Sequence, residues 1–192
     1  MRYFIVLILT LLINGCNSNG TQVLIDESYI PPTKTLSAQE KEEFLEAINR
    51  ARADKHDCKE YGVLGPSKPI KWSEELYNAA YEHSFDMANS NTFSHNGSNT
   101  KYDKTAIDLK LNRGSKFNER IEHNGFKGKM VGENISAGKS LTSANDVVDA
   151  WLKSPAHCAI LMDNNYNYGA LAVAHKDSSK YLNYWTLDLG KK

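Results

Sequence analysis

Cysteine is scarce, with 3 in 192 residues, which excludes a disulfide-dense scaffold. Neither sign of charge prevails. Lys and Arg number 23, as do Asp and Glu. Such a chain is not a general polyanion binder, and no nucleic-acid partner is expected; only a local basic patch could act that way. The longest apolar run, Tyr3 to Ile13, has eleven residues. As a helix it would be about 16 Å long, against about 30 Å of bilayer hydrocarbon. Several signatures are missing too. There is no H-E-x-x-H zinc helix and no G-x-S-x-G elbow. Gly132 and Gly138-Lys139-Ser140 are separated by five residues where a phosphate loop needs four. No internal repeat is present. What remains is 41% hydrophobic, with ten Tyr, six Phe and three Trp, enough to bury a core.

The first residues read as an address. Met1-Arg2 precedes the apolar run, in the shape of a secretory signal. It ends Leu12-Ile13-Asn14-Gly15-Cys16. This resembles a bacterial lipobox, with an aliphatic residue at −3, a small one at −1, and the cysteine that receives diacylglycerol; Asn14 is looser than the usual small residue. Residues 1–15 are then a lipoprotein signal peptide, and Cys16 the lipidation and palmitate site. Asn17 at +2, rather than Asp, favours the outer membrane or cell surface over inner-membrane retention. Two or more acyl chains anchor stably. Cleavage would leave 22 basic and 23 acidic residues, so charge adds nothing to that anchoring. Residues 16–36 contain Ser, Asn, Gly and Pro31-Pro32 and are expected to be a tether.

The folded domain is expected over residues 37–192. Ser37-x-x-Glu40 is a capping box, followed by Phe44, Leu45, Ile48 and Ala51 at helical spacing to about Ala53. Gly62 to Pro69 reads as loop, and Ile70-Lys71-Trp72 as a short extended piece. Ser73 caps a second helix whose Leu76, Ala80, His83 and Met87 share one face, ending before Phe93. Residues 96–130 are polar and irregular around a short helix at Ser115–His123. Ser143-x-x-Asp146 opens another helix with Val147, Val148, Trp151 and Leu152. Ser154-Pro155 interrupts it before a turn or two at His157 to Met162. Gly169–His175 and Tyr181–Leu189 read as paired strands around an Asp177-Ser178-Ser179 turn. Helices first and an antiparallel pair last make an α+β order.

A distributed pattern runs through these elements. It comprises Asn49-Arg50, Ile70-Lys71-Trp72-Ser73-x-x-Leu76, Ser94-His95, Gly132-Glu133-Asn134-Ile135, Val148-x-x-Trp151-x-x-Ser154-Pro155-x-His157 and Tyr184-Trp185-Thr186. In this order it resembles the CAP superfamily, also called the SCP domain, over about Ser37 to Gly190, and most closely its compact bacterial members. The resemblance implies a three-layer α/β/α sandwich with a central antiparallel sheet. It implies a cleft lined by two His and two acids. By motif these fall at His95, Glu133, His157 and, for the second acid, Ser154, so one carboxylate is replaced by a hydroxyl.

Residue chemistry leaves the cleft's role open. His95 and His157, with Glu133 as a third donor, could bind Zn²⁺ with an open position. They could work as base and orienter. They could equally be a hydrogen-bonded network that pins loops to the sheet. Ser154 precedes a proline at a helix break and reads as local capping or turn formation, not a nucleophile. His83 reads as a satisfied core histidine, Trp72, Trp151 and Trp185 as core, and Arg120 as a brace for its loop. Tyr166, Tyr168, Tyr181 and Tyr184 read as sheet packing. Export permits a Cys58–Cys158 disulfide, which would fix the loop beside the cleft. Its rival is a zinc site of His56, Cys58, His157 and Cys158, whose spacing fits no standard finger. Relatives commonly carry Arg at the position of Cys158, so that cysteine is a departure.

The expectation is a surface-anchored, monomeric lipoprotein, not an enzyme with assigned catalytic residues. It binds an extracellular protein or lipid ligand, with segment 96–130 as the variable recognition loop. A hydrolase or protease using the cleft, with Zn as its cofactor, and a structural envelope protein with a vestigial cleft are the alternatives.

Overall fold

A computed structural model describes residues 34–192; the signal, Cys16 and most of the tether expected from the sequence lie outside the described residues. Ser37 caps α1 (Ala38–Ala53) by a full capping box with Glu40. Ser73 accepts from the Leu76 amide at the head of α2 (Glu74–Ser90). Ser143 and Asp146 form a capping box for α5 (Ala144–Leu152). These are side-chain oxygens on orphan amides, readable from composition and spacing.

The sheet holds β3 (Lys71–Trp72), β5 (Tyr168–His175), β6 (Asn183–Lys191) and β4 (Met130–Ala137), in that spatial order. β4, β6 and β5 run antiparallel. β3 pairs parallel with β5 over two residues, so the sheet is antiparallel except at that edge. The remaining pieces are a hairpin of β1 (His56–Asp57) and β2 (Val63–Leu64), α3 (Lys104–Asp108), α4 (Phe117–His123) and α6 (Pro155–Leu161). β2 lies inside the stretch expected to be loop, and α3 inside the irregular segment. The last strand starts at Asn183, not Tyr181. Leu182 has φ +63°, and the Lys180 amide is held by the Asn91 side chain, so the chain turns there before it can pair.

Alternation along β5 and β6 sorts the layers. Leu171, Trp185, Leu187 and Leu189 pack with Ala47, Ile48, Val147, Val148, Trp151 and Leu161 from α1, α5 and α6. Ala170 and Ala172 face Leu76, Ala79 and Ala80 of α2 and Ile121 of α4. Alanines on the second face let α2 lie close to the strands. The result is the α/β/α sandwich. Leu36 is buried with the α2 cluster, and the Tyr77 hydroxyl donates to the Lys34 carbonyl at 2.7 Å, so the described chain is already held there before α1. Cys58 and Cys158 are joined as a disulfide across 100 residues. That tie leaves neither sulfur as a free thiolate, which removes the His56–Cys58–His157–Cys158 zinc site.

Candidate functional site

β4 is the outermost strand of the sheet on its side, and the cleft forms there. Glu133 lies opposite Asp188 in the β4–β6 register and so points to the α2 face. Gly132 before it is required, because an added Cβ would run into the Tyr166 hydroxyl. His157 comes from α6, on the other layer. The His95 and His157 rings face each other across the strand with centroids 6.5 Å apart. All four residues expected in the cleft are therefore brought together.

Glu133 is buried and both its oxygens are engaged. Oε1 accepts from His95 Nδ1 at 2.8 Å, and Oε2 accepts from Arg120 Nη2 at 2.7 Å. Burial alone would raise its pKa. His83, once protonated in acid, then Arg120 and the His95 N–H overcome that and hold it down at about 2. His83 supplies no charge to this balance at neutral pH. It is fully buried and pushed down to about 3, first by desolvation and then by the Arg120 charge. Its Nε2 donates to the Ser94 carbonyl at 2.9 Å, which fixes the loop that carries His95. Arg120 donates also to the carbonyls of His95 and Ser115, both at 2.9 Å. It thus braces the loop, as expected, and in addition neutralises the cleft acid.

With Nδ1 donating to Glu133, a neutral His95 presents Nε2 as an acceptor toward the cleft. His157 has no acid partner. Its Nδ1 meets Ser154 Oγ at 2.8 Å, and desolvation, then the nearby His95 charge, lowers its pKa, so it is neutral at pH 7. Ser154 was expected to serve in local capping or turn formation, and it is the N-cap residue of α6, its carbonyl accepting from the Cys158 amide at 2.8 Å. It makes no side-chain cap bond; the hydroxyl is spent on His157 instead.

The donor set does not fit a catalytic zinc. Among the described residues no three His, Cys, Asp or Glu side chains are placed to hold a metal ion. Glu133 has no free oxygen and Ser154 is not a carboxylate, so only two imidazole nitrogens remain, one short of the usual protein set. The expected pair His95 and His157, with Glu133 as a possible third donor, is by itself one donor short of that set. General acid catalysis by Glu133 is equally unsupported, because its proton is gone at neutral pH.

Two further residues matter. Asp188 is fully buried and neither carboxyl oxygen has a partner among the described residues. Burial first, then the Glu133 charge, raises its pKa well above the ordinary value, which disfavours its charged form beneath Glu133. No sequence signal marks this, since strand register decides it. The Ser154–His157 bond was readable, because i and i+3 share a helical face.

A groove lies elsewhere, between α1, the start of α5 and the ends of β5 and β6. Its volume is ≈ 490 Å³, and Phe44, Val173, Trp185, Arg50, Ser143 and Asn145 line it. The Phe44 and Trp185 rings are 5.8 Å apart, tilted by 59°, and give it an aromatic wall.

An α/β/α sandwich with two His and an acid across its outer strand defines an SCP-type domain. The chain belongs to the cysteine-rich secretory protein (CAP) family, whose model matches residues 45–189. Two solved structures are similar. An outer surface protein from Borrelia burgdorferi has a TM-score of 0.58 at 17% identity, covering 83% of this chain and 97% of that one. An extracellular protein containing an SCP domain from Bacillus anthracis has a TM-score of 0.56 at 18% identity, covering 83% of this chain and 45% of that one. The chain thus spans less than half of the Bacillus protein. Comparison with curated proteins gave no match. Among the described residues no helix is long and apolar enough to cross a membrane.

Proposed function

We propose that this chain is an exported lipoprotein, anchored through Cys16 at the outer membrane or cell surface, whose CAP domain binds an apolar or amphiphilic extracellular ligand such as a lipid. The observation that carries the reading is the ≈ 490 Å³ groove walled by Phe44, Val173 and Trp185. An apolar floor with a few polar groups at the rim is the usual make-up of a small-molecule site. Arg50, which also meets Glu46 and Asn145, is the one fixed positive charge for a headgroup at a rim that Glu40 and Glu43 share. The His cleft supports a loop-fixing role rather than hydrolysis, because its one acid is ionised and fully engaged.

Titration with a dansylated fatty acid tests it. The expected result is saturable binding that Phe44→Asp abolishes and Arg50→Ala weakens, with His95→Ala unchanged. Far-ultraviolet circular dichroism checks that each variant folds. Absence of saturable binding by the folded wild type sinks the reading. So does ester or peptide turnover lost in His157→Ala. The anchor is tested separately: radiolabelled palmitate should enter the wild type and not Cys16→Ala.

A further inference from the structure

β5 is left with an open edge where β3 stops. β3 pairs with it only through Lys71 with Tyr168 and Trp72 with Gly169. The Lys71 amide donates to the Asn167 carbonyl at 3.0 Å and the Ser73 amide to the Gly169 carbonyl at 3.3 Å. The backbone groups of the odd-numbered residues therefore face that side, and alternation places the N–H and C=O of Leu171, Val173 and His175 there too. Leu171 is buried, Val173 half-buried and His175 exposed. Among the described residues no strand pairs with this side of β5 beyond Gly169. Such an edge is a template for another extended segment.

A groove of ≈ 390 Å³ lies beside this edge on the α2 face, lined by Lys34, Tyr81, Phe85, Val173, Ala174 and Lys176. Its wall continues a row of rings along α2. Tyr77 and Tyr81 stack at 6.1 Å, and Tyr81 meets Phe85 at 6.3 Å. Leu36 is buried in the cluster that holds Tyr77, Ala170 and Ala172, whereas Lys34 lies at the groove beside Val173 and Lys176. From Leu36 back to Lys34 the chain thus follows β5 in that strand's own direction, so read forwards it runs antiparallel to β5. The residues before Lys34 are Ser28-Tyr29-Ile30-Pro31-Pro32-Thr33. Ile30 is four residues back, a reach of at most about 14 Å, and Val173 to Lys176 covers about 10 Å of strand. A proline after Ile30 disfavours helix at that residue.

We propose that the tether docks on its own domain: Tyr29 and Ile30 seat in this groove beside Tyr81, and the main chain of residues 28–30 pairs antiparallel with the outward N–H and C=O groups of Val173 and His175. This segment is the occupant because the described chain already enters the groove at Lys34. An occupant joined at that point binds intramolecularly, at high effective concentration. Docking masks a sheet edge that otherwise recruits foreign strands. It also takes residues 28–33 out of the span between Cys16 and the domain, so an anchored domain sits closer to its membrane. The proposal goes beyond the lipid groove, which lies on the other face of β5, and does not depend on it.

Residue-resolved amide hydrogen exchange by NMR, on the full chain in non-ionic detergent, tests it. The Val173 and His175 amides should be protected in the wild type and exchange at least roughly ten-fold faster in Tyr29→Ser/Ile30→Ser. The amides of Ala172 and Ala174, which face Thr186 and Tyr184 of β6, should keep their rates and show that the variant is folded. Val23→Ser/Leu24→Ser, earlier in the same segment, should exchange as wild type. Equal rates at Val173 and His175 in the wild type and Tyr29→Ser/Ile30→Ser overturn the proposal. So does an equal rise at Ala172 and Ala174, which means that the substitutions loosen the whole strand. Loss of protection in Val23→Ser/Leu24→Ser overturns it as well, as does protection that falls on dilution, which assigns the edge to a second copy of the chain.

Discussion

Replacing Glu133 by Gln removes the one negative charge that Arg120 and His95 share. Two routes give its size. Glu133 is buried and its pKa falls from an ordinary 4.5 to about 2, which converts to about 3 kcal/mol at 1.36 kcal/mol per pH unit. Breaking one partner of a buried pair independently costs about 3–5 kcal/mol, and Arg120 and Glu133 are each 1% exposed at the side chain. Asp188 offsets part of this, because losing the Glu133 charge relaxes one cause of its raised pKa. About 3 kcal/mol at pH 7, the low end of these figures, is therefore expected. The sign follows from a depressed folded pKa. The stabilisation is complete above the unfolded value near 4.5 and is lost as pH falls through about 2. Urea unfolding of wild type and Glu133→Gln at pH 7, 5, 4 and 3 should show a gap that is widest at pH 7 and closing below pH 5. A gap that does not change with pH, or is absent at pH 7, refutes the assignment of Glu133 as an ionised, doubly engaged carboxylate.

The other variants read different parts of the same structure. Asp188→Asn should stabilise at pH 8 more than at pH 4. A raised folded pKa leaves Asp188 favourable below its unfolded value near 3.8 and progressively unfavourable as pH rises toward the folded one; loss of stability at pH 8 would mean a partnered, ionised Asp188. Replacing both Cys58 and Cys158 by Ser frees a tie across 100 residues, for which chain entropy allows up to about 4.7 kcal/mol and native disulfides usually give about 2–5. The thermal midpoint should fall by about 5–15 °C, and a midpoint indifferent to reductant in the wild type would contradict the bond.

Much of the frame was legible because it is local. Ser37, Ser73 and Ser143 announce three helices by capping alone, and Val147, Val148 and Trp151 show which side of α5 turns inward. The cleft residues were legible through their motifs. The charge balance of the cleft was not. Arg120 lies 13 residues before Glu133 in a polar stretch, and only the docking of α4 on α2 brings its guanidinium to Oε2. Asp188 reads as one polar residue in an alternating strand, and strand register alone makes it the buried neighbour of Glu133. The short β1 and β2 offer two residues each, too few for alternation to show. Tyr181 has strand propensity, yet its neighbours are fixed to Asn91 and the turn takes precedence over pairing.

The exchange of an acid for Ser154 decides what the cleft is. A carboxylate there would accept from His157 Nδ1 and favour the imidazolium. It would also add an oxygen donor toward the third metal position. The hydroxyl does neither: it satisfies Nδ1 while leaving His157 neutral. His95 keeps its acid, but that acid is neutralised by Arg120 from beneath and by nothing that a ligand could displace without unburying a charge. Both rings are thus held by bonds to the protein, one from each helical layer, and lie 6.5 Å apart at the outer edge of the sheet. The energetics favour a fixed clasp there, while the open apolar volume lies on the other side of the same sheet, between α1 and α5.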